Sequence, residues 1–188
     1  MSDGSDSPIT QLLAAVSRGD PGAEERLYEI VYPEFRTIAH GQLRNERRGH
    51  DLQTTILVHE AYFRLAGDDP AAWENRRHFF GAAGNAMRQV RADYARKRGS
   101  QKRGGGRAPV QLRDAVAGLD GDPVATAAFN EVFEKLKAMA PREAEVLNLR
   151  CFAGLSVAET AEMLGVSDRT VEADLRAARA WLARELAL

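Results

Sequence analysis

The sequence predicts an all-α protein of two small helical domains joined by a flexible linker, and three observations carry that prediction. Strand signals, meaning alternating runs of β-branched and aromatic residues between turns, are almost absent. Helix starts recur: Asp20-Pro21, Asp69-Pro70 and Asp122-Pro123 each place a capping carboxylate before a proline suited to a first helical turn. The stretch GSQKRGGGRAPVQLRDAVAGLDGD has glycines, few aromatics and no sustained period, which is the composition of a linker. The 188 residues therefore divide into an N-terminal domain over 8–100, a linker over 101–122 and a C-terminal domain over 123–188.

Taken in order, the N-terminal domain has helices expected near residues 8–18, 22–47 (opened by Asp20-Pro21), 53–66 and 75–98. The fourth of these is strongly basic. The C-terminal domain has helices expected near 123–139 (opened by Asp122-Pro123), 141–152, 156–163 and 168–186. Ser156 caps the seventh helix, and Glu159 three residues on completes a capping box. Leu164-Gly165-Val166 makes a turn, and Ser167 caps the last helix. At about 100° per residue, Val171, Leu175, Ala178 and Leu182 form an apolar stripe that must pack inward. Cys151, the single cysteine, excludes an internal disulfide, cannot make a zinc site alone, and is expected in a core.

A helix, a tight turn and a second capped helix form the arrangement that enters the DNA major groove. Arg169, Glu172, Arg176 and Arg179 share one face of the last helix, whereas Asp174 points almost opposite. Glu172 can pair with Arg169 or Arg176 one turn away, or accept from a cytosine amine. The formal net charge of −1 conceals a separation of charge. Between Arg76 and Arg107 ten basic residues meet one acid, Asp93, leaving +9; residues 1–75 and 126–188 are each acidic on balance. Phosphate attraction follows the local field, so a near-neutral total does not exclude a polyanionic partner.

These segments resemble bacterial RNA polymerase sigma factors of the extracytoplasmic-function type. APREAEVLNLRCFAGLSVAETAEMLGVSDRTVEADLRAARAWLARELA is similar to their region 4, which recognises the minus-thirty-five promoter element. LVHEAYFRLA followed by HFFGAAGNAMRQVRADYARKRGSQKRGGG is similar to region 2, which docks on the polymerase clamp and opens the minus-ten element. The wording LVHEAYFRL, KRGGG and ARAWLARELA is similar to a subgroup associated with serine/threonine kinases. The resemblance implies core RNA polymerase and promoter DNA as partners, with a kinase or an anti-sigma protein as regulator, and packing of the two domains together in a free or inhibited state. It places minus-thirty-five contacts on Arg169, Thr170, Glu172, Arg176 and Arg179. Minus-ten contacts fall on Trp73, Asn75, Arg76, Arg88, Arg91, Arg96, Lys97 and Arg98, with Lys102, Arg103 and Arg107 following. Trp73, Asn75 and Arg76 would hold an unstacked base, with Phe79 and Phe80 behind them. Polymerase contacts fall on Leu57, His59, Glu60, Phe63 and Arg64.

One departure bears on regulation. Many relatives have an acidic run before the clamp-facing helix, whereas this chain has Gln53-Thr54-Thr55-Ile56 with Asp51 the one acid nearby. A phosphate on Thr55, or less readily on Thr54, would add about −1.5 to −2 charges there; the competing reading is helix capping by a threonine.

Other functions find little support. His59-Glu60 begins a zinc-protease pattern, but Phe63 stands where the second ligand belongs, and His40, His50, His59 and His78 share no metal spacing. No phosphate-binding glycine loop or Ser-His-Asp pattern is present, so no enzyme activity and no cofactor are expected. The alternatives are a helix-turn-helix regulator that does not depend on core polymerase, and an adaptor that binds polymerase but not DNA. No apolar run approaches the roughly 18 residues of a membrane span, and MSDGSDSPIT lacks the features of a secretory signal. A cytoplasmic location is expected.

Overall fold

The computed structural model describes residues 7–43, 52–67, 73, 75–101 and 123–186. The elements are α1 (Pro8–Ser17), α2 (Ala23–Leu43), α3 (Thr54–Ala66), α4 (Arg76–Gln101), α5 (Pro123–Met139), α6 (Pro141–Leu147), a π-helical turn (Asn148–Phe152), α7 (Val157–Leu164) and α8 (Asp168–Glu185). Among the described residues there is no strand, as the all-α reading expected. Of the segment read as the linker, 101–122, Gln101 ends α4 and residues 102–122, with Lys102, Arg103, Arg107 and Asp122, lie outside the described residues, as does Asp69-Pro70.

Two of the expected elements differ in detail. Asp20 does not cap α2 with its carboxylate, which holds Arg18 at 2.8 Å instead. Its carbonyl accepts from the Ala23 amide at 3.1 Å, so Pro21 and Gly22 turn outside the helix rather than starting it. The helix expected over 141–152 changes pitch after Leu147, where the Ala153 amide reaches back five residues to the Asn148 carbonyl at 3.0 Å. A π turn of this kind widens the helix by one residue and often marks a functional position.

The N-terminal helices close around a ring cluster. Phe35 is fully buried, with its centroid 5.5 Å from Phe79 and 5.7 Å from Phe80, and Trp73 meets Phe79 edge-on at 5.2 Å. In the C-terminal helices Phe129, Phe133 and Phe152 form a second cluster at 5.8–6.1 Å, beneath Ala178 and Leu182 of α8. The two cores meet along α4, which packs on α3 from one side and on α5 and the π turn from the other.

Local signals hold the helix-turn-helix. The Ser156 hydroxyl accepts from the Glu159 amide at 3.2 Å, and the Glu159 carboxylate accepts from the Ser156 amide at 2.8 Å. Gly165 sits at φ +64°, a left-handed conformation that lets α7 end at once. The Ser156 backbone N–H, then its hydroxyl, hold the Glu159 carboxyl below the usual glutamate range. A carboxylate depressed on folding stabilises fully above its unfolded pKa, and that contribution disappears as pH falls through the lowered value. Ser156→Ala is expected to cost about 1 kcal/mol in urea unfolding at pH 7. The difference from wild type should shrink in acid; a cost independent of pH would mean that the box contributes nothing through its charge.

Candidate nucleic-acid interface

The apolar stripe fixes how α8 presents itself. Val171, Ala178 and Leu182 are buried, with Leu175 partly so, which leaves Arg169, Glu172, Arg176 and Arg179 exposed on the opposite side. Thr170 is half-buried, its hydroxyl 2.9 Å from that of Ser167, and its amide donates to the Ser167 cap at 3.1 Å. Glu172 makes no ion pair with Arg169 or Arg176 among the described residues. Arg179 leans toward Cys151, its Nη2 3.9 Å from the sulfur. Burial pushes the Cys151 thiol up, against the opposing pull of Arg179. Cys151 is partly buried at the edge of the second core.

Asp174 faces away from the arginine surface, as the helical angle required, but its role was not legible in the sequence. It is buried and accepts a two-pronged bond from Arg142 of α6, at 2.7 and 3.2 Å. That fork ties α8 to α6 and sets the pitch of the arginine face. The spacing of 32 residues between the partners left no sequence signal.

The basic strip of α4 is not one continuous surface. Arg96 and Lys97 are exposed, whereas Arg88 and Arg91 are only 3% and 4% exposed. The side chain of Arg98 lies outside the described residues. Arg88 enters a cage on α5: its guanidinium donates to Asn130, bonds Glu134 at 2.8 Å and lies 4.0 Å from the Phe133 ring centroid. Burial lowers the Arg88 pKa, and the bond and charge of Glu134 oppose that shift. The expectation of free cations at 88 and 91 is thus corrected for this closed arrangement: α5 covers Arg88, and Arg91 is likewise buried.

Arg96 shares Asp93 with Arg64 of α3, bonding it at 2.5 Å. Burial pushes the Asp93 carboxyl up, but the hydrogen bonds from Arg64 and Arg96 outweigh it and leave the group below its usual range. Arg64, expected to face polymerase, is therefore partly engaged in holding α3 to α4.

In the base-capture loop, residues 68–72 and 74 lie outside the described residues. Trp73 is 9% exposed and packs into the first core, and Phe79 and Phe80 are core residues. Asn75 caps α4, its Oδ1 accepting from the His78 amide at 3.0 Å. Arg76 pairs with Glu34 at 2.5 Å and lies 5.0 Å from the Phe80 centroid. The indole and the Asn75 side-chain carbonyl thus both take part in building the domain. A cavity of about 190 Å³ beside Trp73, lined also by Leu27, Tyr62, Leu65 and Phe79, is the space next to them.

On α3, Leu57 is fully buried and faces the core instead of a partner, since it shares the inward stripe with Ala61 and Leu65. His59, Glu60 and Phe63 are exposed, Phe63 at 73%. His59 and Phe63 border a groove of about 490 Å³ whose other wall is Glu24, Glu25, Tyr28 and Glu29 of α2. Sequence reasoning missed this acidic wall, although the glutamates were visible in the first turns of α2. Burial, then Glu24 and Tyr28, push the Tyr62 phenol beneath the groove up to about 12. Gln53 is the residue that precedes α3, and no side chain caps the helix, so neither threonine serves as the cap. Thr54 is half-buried and Thr55 exposed.

Among the described residues no group of three or more His, Cys, Asp or Glu could hold a metal, and no helix is long and apolar enough to cross a membrane. A family model described as ECF sigma factor matches residues 6–188. Comparisons with curated proteins and with solved structures give no significant match.

Proposed function

The chain belongs to the ECF sigma factor family, and from that premise we propose how its residues divide the work of directing core RNA polymerase to promoters. Members of this family act in transcription initiation, bind RNA polymerase and are generally DNA-binding regulators without enzymatic activity. The observation that carries the residue-level reading is the segregated face of α8, where Arg169, Arg176 and Arg179 stand exposed on a helix anchored from behind by Val171, Ala178, Leu182 and Asp174. In this reading the 123–188 unit takes the minus-thirty-five element, Thr170 and Glu172 lying among the arginines where base edges are read.

The 8–100 unit would take polymerase and the minus-ten element. His59, Glu60 and Phe63 supply the docking surface, and Glu24, Glu25 and Glu29 provide negative charge for a basic clamp. Among the described side chains, Arg96 and Lys97 are α4 cations exposed on the surface, and in this reading Arg88, Arg91 and Arg98 extend that set. Purified core polymerase mixed with this chain should initiate at specific sites on genomic fragments from its own source. A chain that bound such fragments tightly and selectively without core enzyme, and gave no initiation with it, would instead be a polymerase-independent regulator. The cytoplasm, where core polymerase works, is the matching location.

A kinase switch at Thr55 has one specific observation in its favour. Thr55 is exposed in the first turn of α3, a helix with no side-chain cap, where a phosphate would meet unsatisfied amides and the positive end of the helix dipole. Thr55-phosphorylated protein, prepared by semisynthesis, should bind core polymerase several-fold more tightly than the unmodified chain. Equal affinities would remove Thr55 as the switch.

A further inference from the structure

The way α8 is held in place leaves its aim to one pair of side chains. Apolar burial has no preferred direction, so the stripe of Val171, Ala178 and Leu182 seats the helix but resists a small roll about its own axis only weakly. Helix side chains reach about 5–6 Å from the axis, and a roll of roughly 20° carries a group at that radius by about 2 Å. The distances of a good N–H···O bond span only about 0.5 Å. A face of arginines therefore reads base edges in register only if the roll is fixed by something directional.

Directional restraints on α8 are few. The Ser167 hydroxyl accepts from the Thr170 amide at 3.1 Å, which fixes where the helix starts and not how it is turned further along. On one flank of the stripe Arg179 Nη2 lies 3.9 Å from Cys151 Sγ, and sulfur is a weak acceptor. On the other flank, about 140° around the helix, stands Asp174, the one buried charged residue of α8 among the described residues. Arg142 meets both of its oxygens, Nε bonding Oδ2 at 2.7 Å and Nη2 bonding Oδ1 at 3.2 Å. Two such bonds fix the relative orientation of the groups as well as their separation. Arg142 is itself anchored, because it opens α6, whose Ala144 and Leu147 lie in the second core. The fork thus refers the turn of α8 to that core.

Stability is not what this pair chiefly supplies. The Arg142 side chain is 56% exposed, and an ion pair with one partner largely in water contributes little to folding. We propose that Arg142 is a positioning residue for promoter selectivity: from behind α8 it grips Asp174 and sets the roll at which Arg169, Glu172 and Arg176 meet base edges. The inference rests on the reading of α8 as the minus-thirty-five helix. Losing the fork blurs discrimination between sequences, whereas attraction to phosphates follows charge and persists.

Arg142→Lys keeps the charge at an exposed position but cannot form the fork, and Asp174→Asn keeps the shape of the partner while leaving one oxygen to accept. Each full-length variant, shown by urea titration to be folded, is assembled with core polymerase. Initiation is then compared on a promoter fragment selected by the wild-type chain and on the same fragment with one base pair changed in its minus-thirty-five element. The ratio of the two rates should fall at least about fivefold in both variants, a mismatch being worth well over that when the contacts are in register. Affinity of the Arg142→Lys holoenzyme for mixed-sequence duplex should stay within about twofold of wild type. A merely structural role would lower initiation on both fragments alike and leave the ratio unchanged, and that result would overturn the proposal. Arg176→Ala separates the two readings. If it flattens the ratio and Arg142→Lys does not, the positioning role fails while the reading of α8 stands. If Arg176→Ala leaves the ratio intact, the reading of α8 fails and takes the positioning role with it.

Discussion

Replacing Phe35 with alanine is expected to cost about 3–5 kcal/mol of stability, the usual range for emptying a buried aromatic site. Phe35 has no exposed surface and meets three rings from two other helices: Tyr62 of α3 at 6.3 Å, and Phe79 and Phe80 of α4 at 5.5 and 5.7 Å. Rigid helices on every side prevent the site from collapsing, so the lost contacts are not regained. Since domains of this size are stable by about 5–15 kcal/mol in total, the variant should lose much of its urea resistance and melt at a lower temperature. The C-terminal helices have their own ring cluster and should keep their helical signal longer than the N-terminal unit. A loss under about 1 kcal/mol would show that the ring is not enclosed as described.

The second large effect is expected on transcription. Changing Arg169 and Arg176 together to alanine should reduce initiation by at least about thirtyfold on promoter fragments selected by the wild-type chain with core polymerase. A good arginine–base contact is worth about 1–3 kcal/mol, and 1.4 kcal/mol is a factor of ten. Both side chains are exposed and none of the buried stripe is altered, so α8 should retain its circular dichroism. If either arginine meets a phosphate, the salt dependence of DNA binding should also flatten by about one unit of slope per lost contact. Unchanged initiation would show that α8 does not read the promoter through this face.

Much of the fold was legible because its signals are local. The capping box at Ser156 and Glu159, the left-handed Gly165, the Ser167 cap and the stripe through Val171 and Leu182 each involve residues a few positions apart, and each is present. The exposed arginines of α8 followed from the same geometry. The Phe79 and Phe80 cores followed from their apolar character. Less legible were the residues whose partners lie far along the chain: Asp174 with Arg142, Arg76 with Glu34, and the acidic wall that α2 lends to α3.

By itself, then, the sequence determined roughly where the helices lie, that they form an all-α chain resembling a sigma factor, and which residues share each helical face. Only the tertiary structure decided which faces are covered. Arg88 and Arg96 sit on the same basic helix, and periodicity cannot tell that one is enclosed by α5 while the other meets solvent. That outcome depends on contacts spanning 42 and 46 residues, between Arg88 and Asn130 and between Arg88 and Glu134. A helix fixes the direction of each side chain, but what it meets there is set by where the rest of the chain packs.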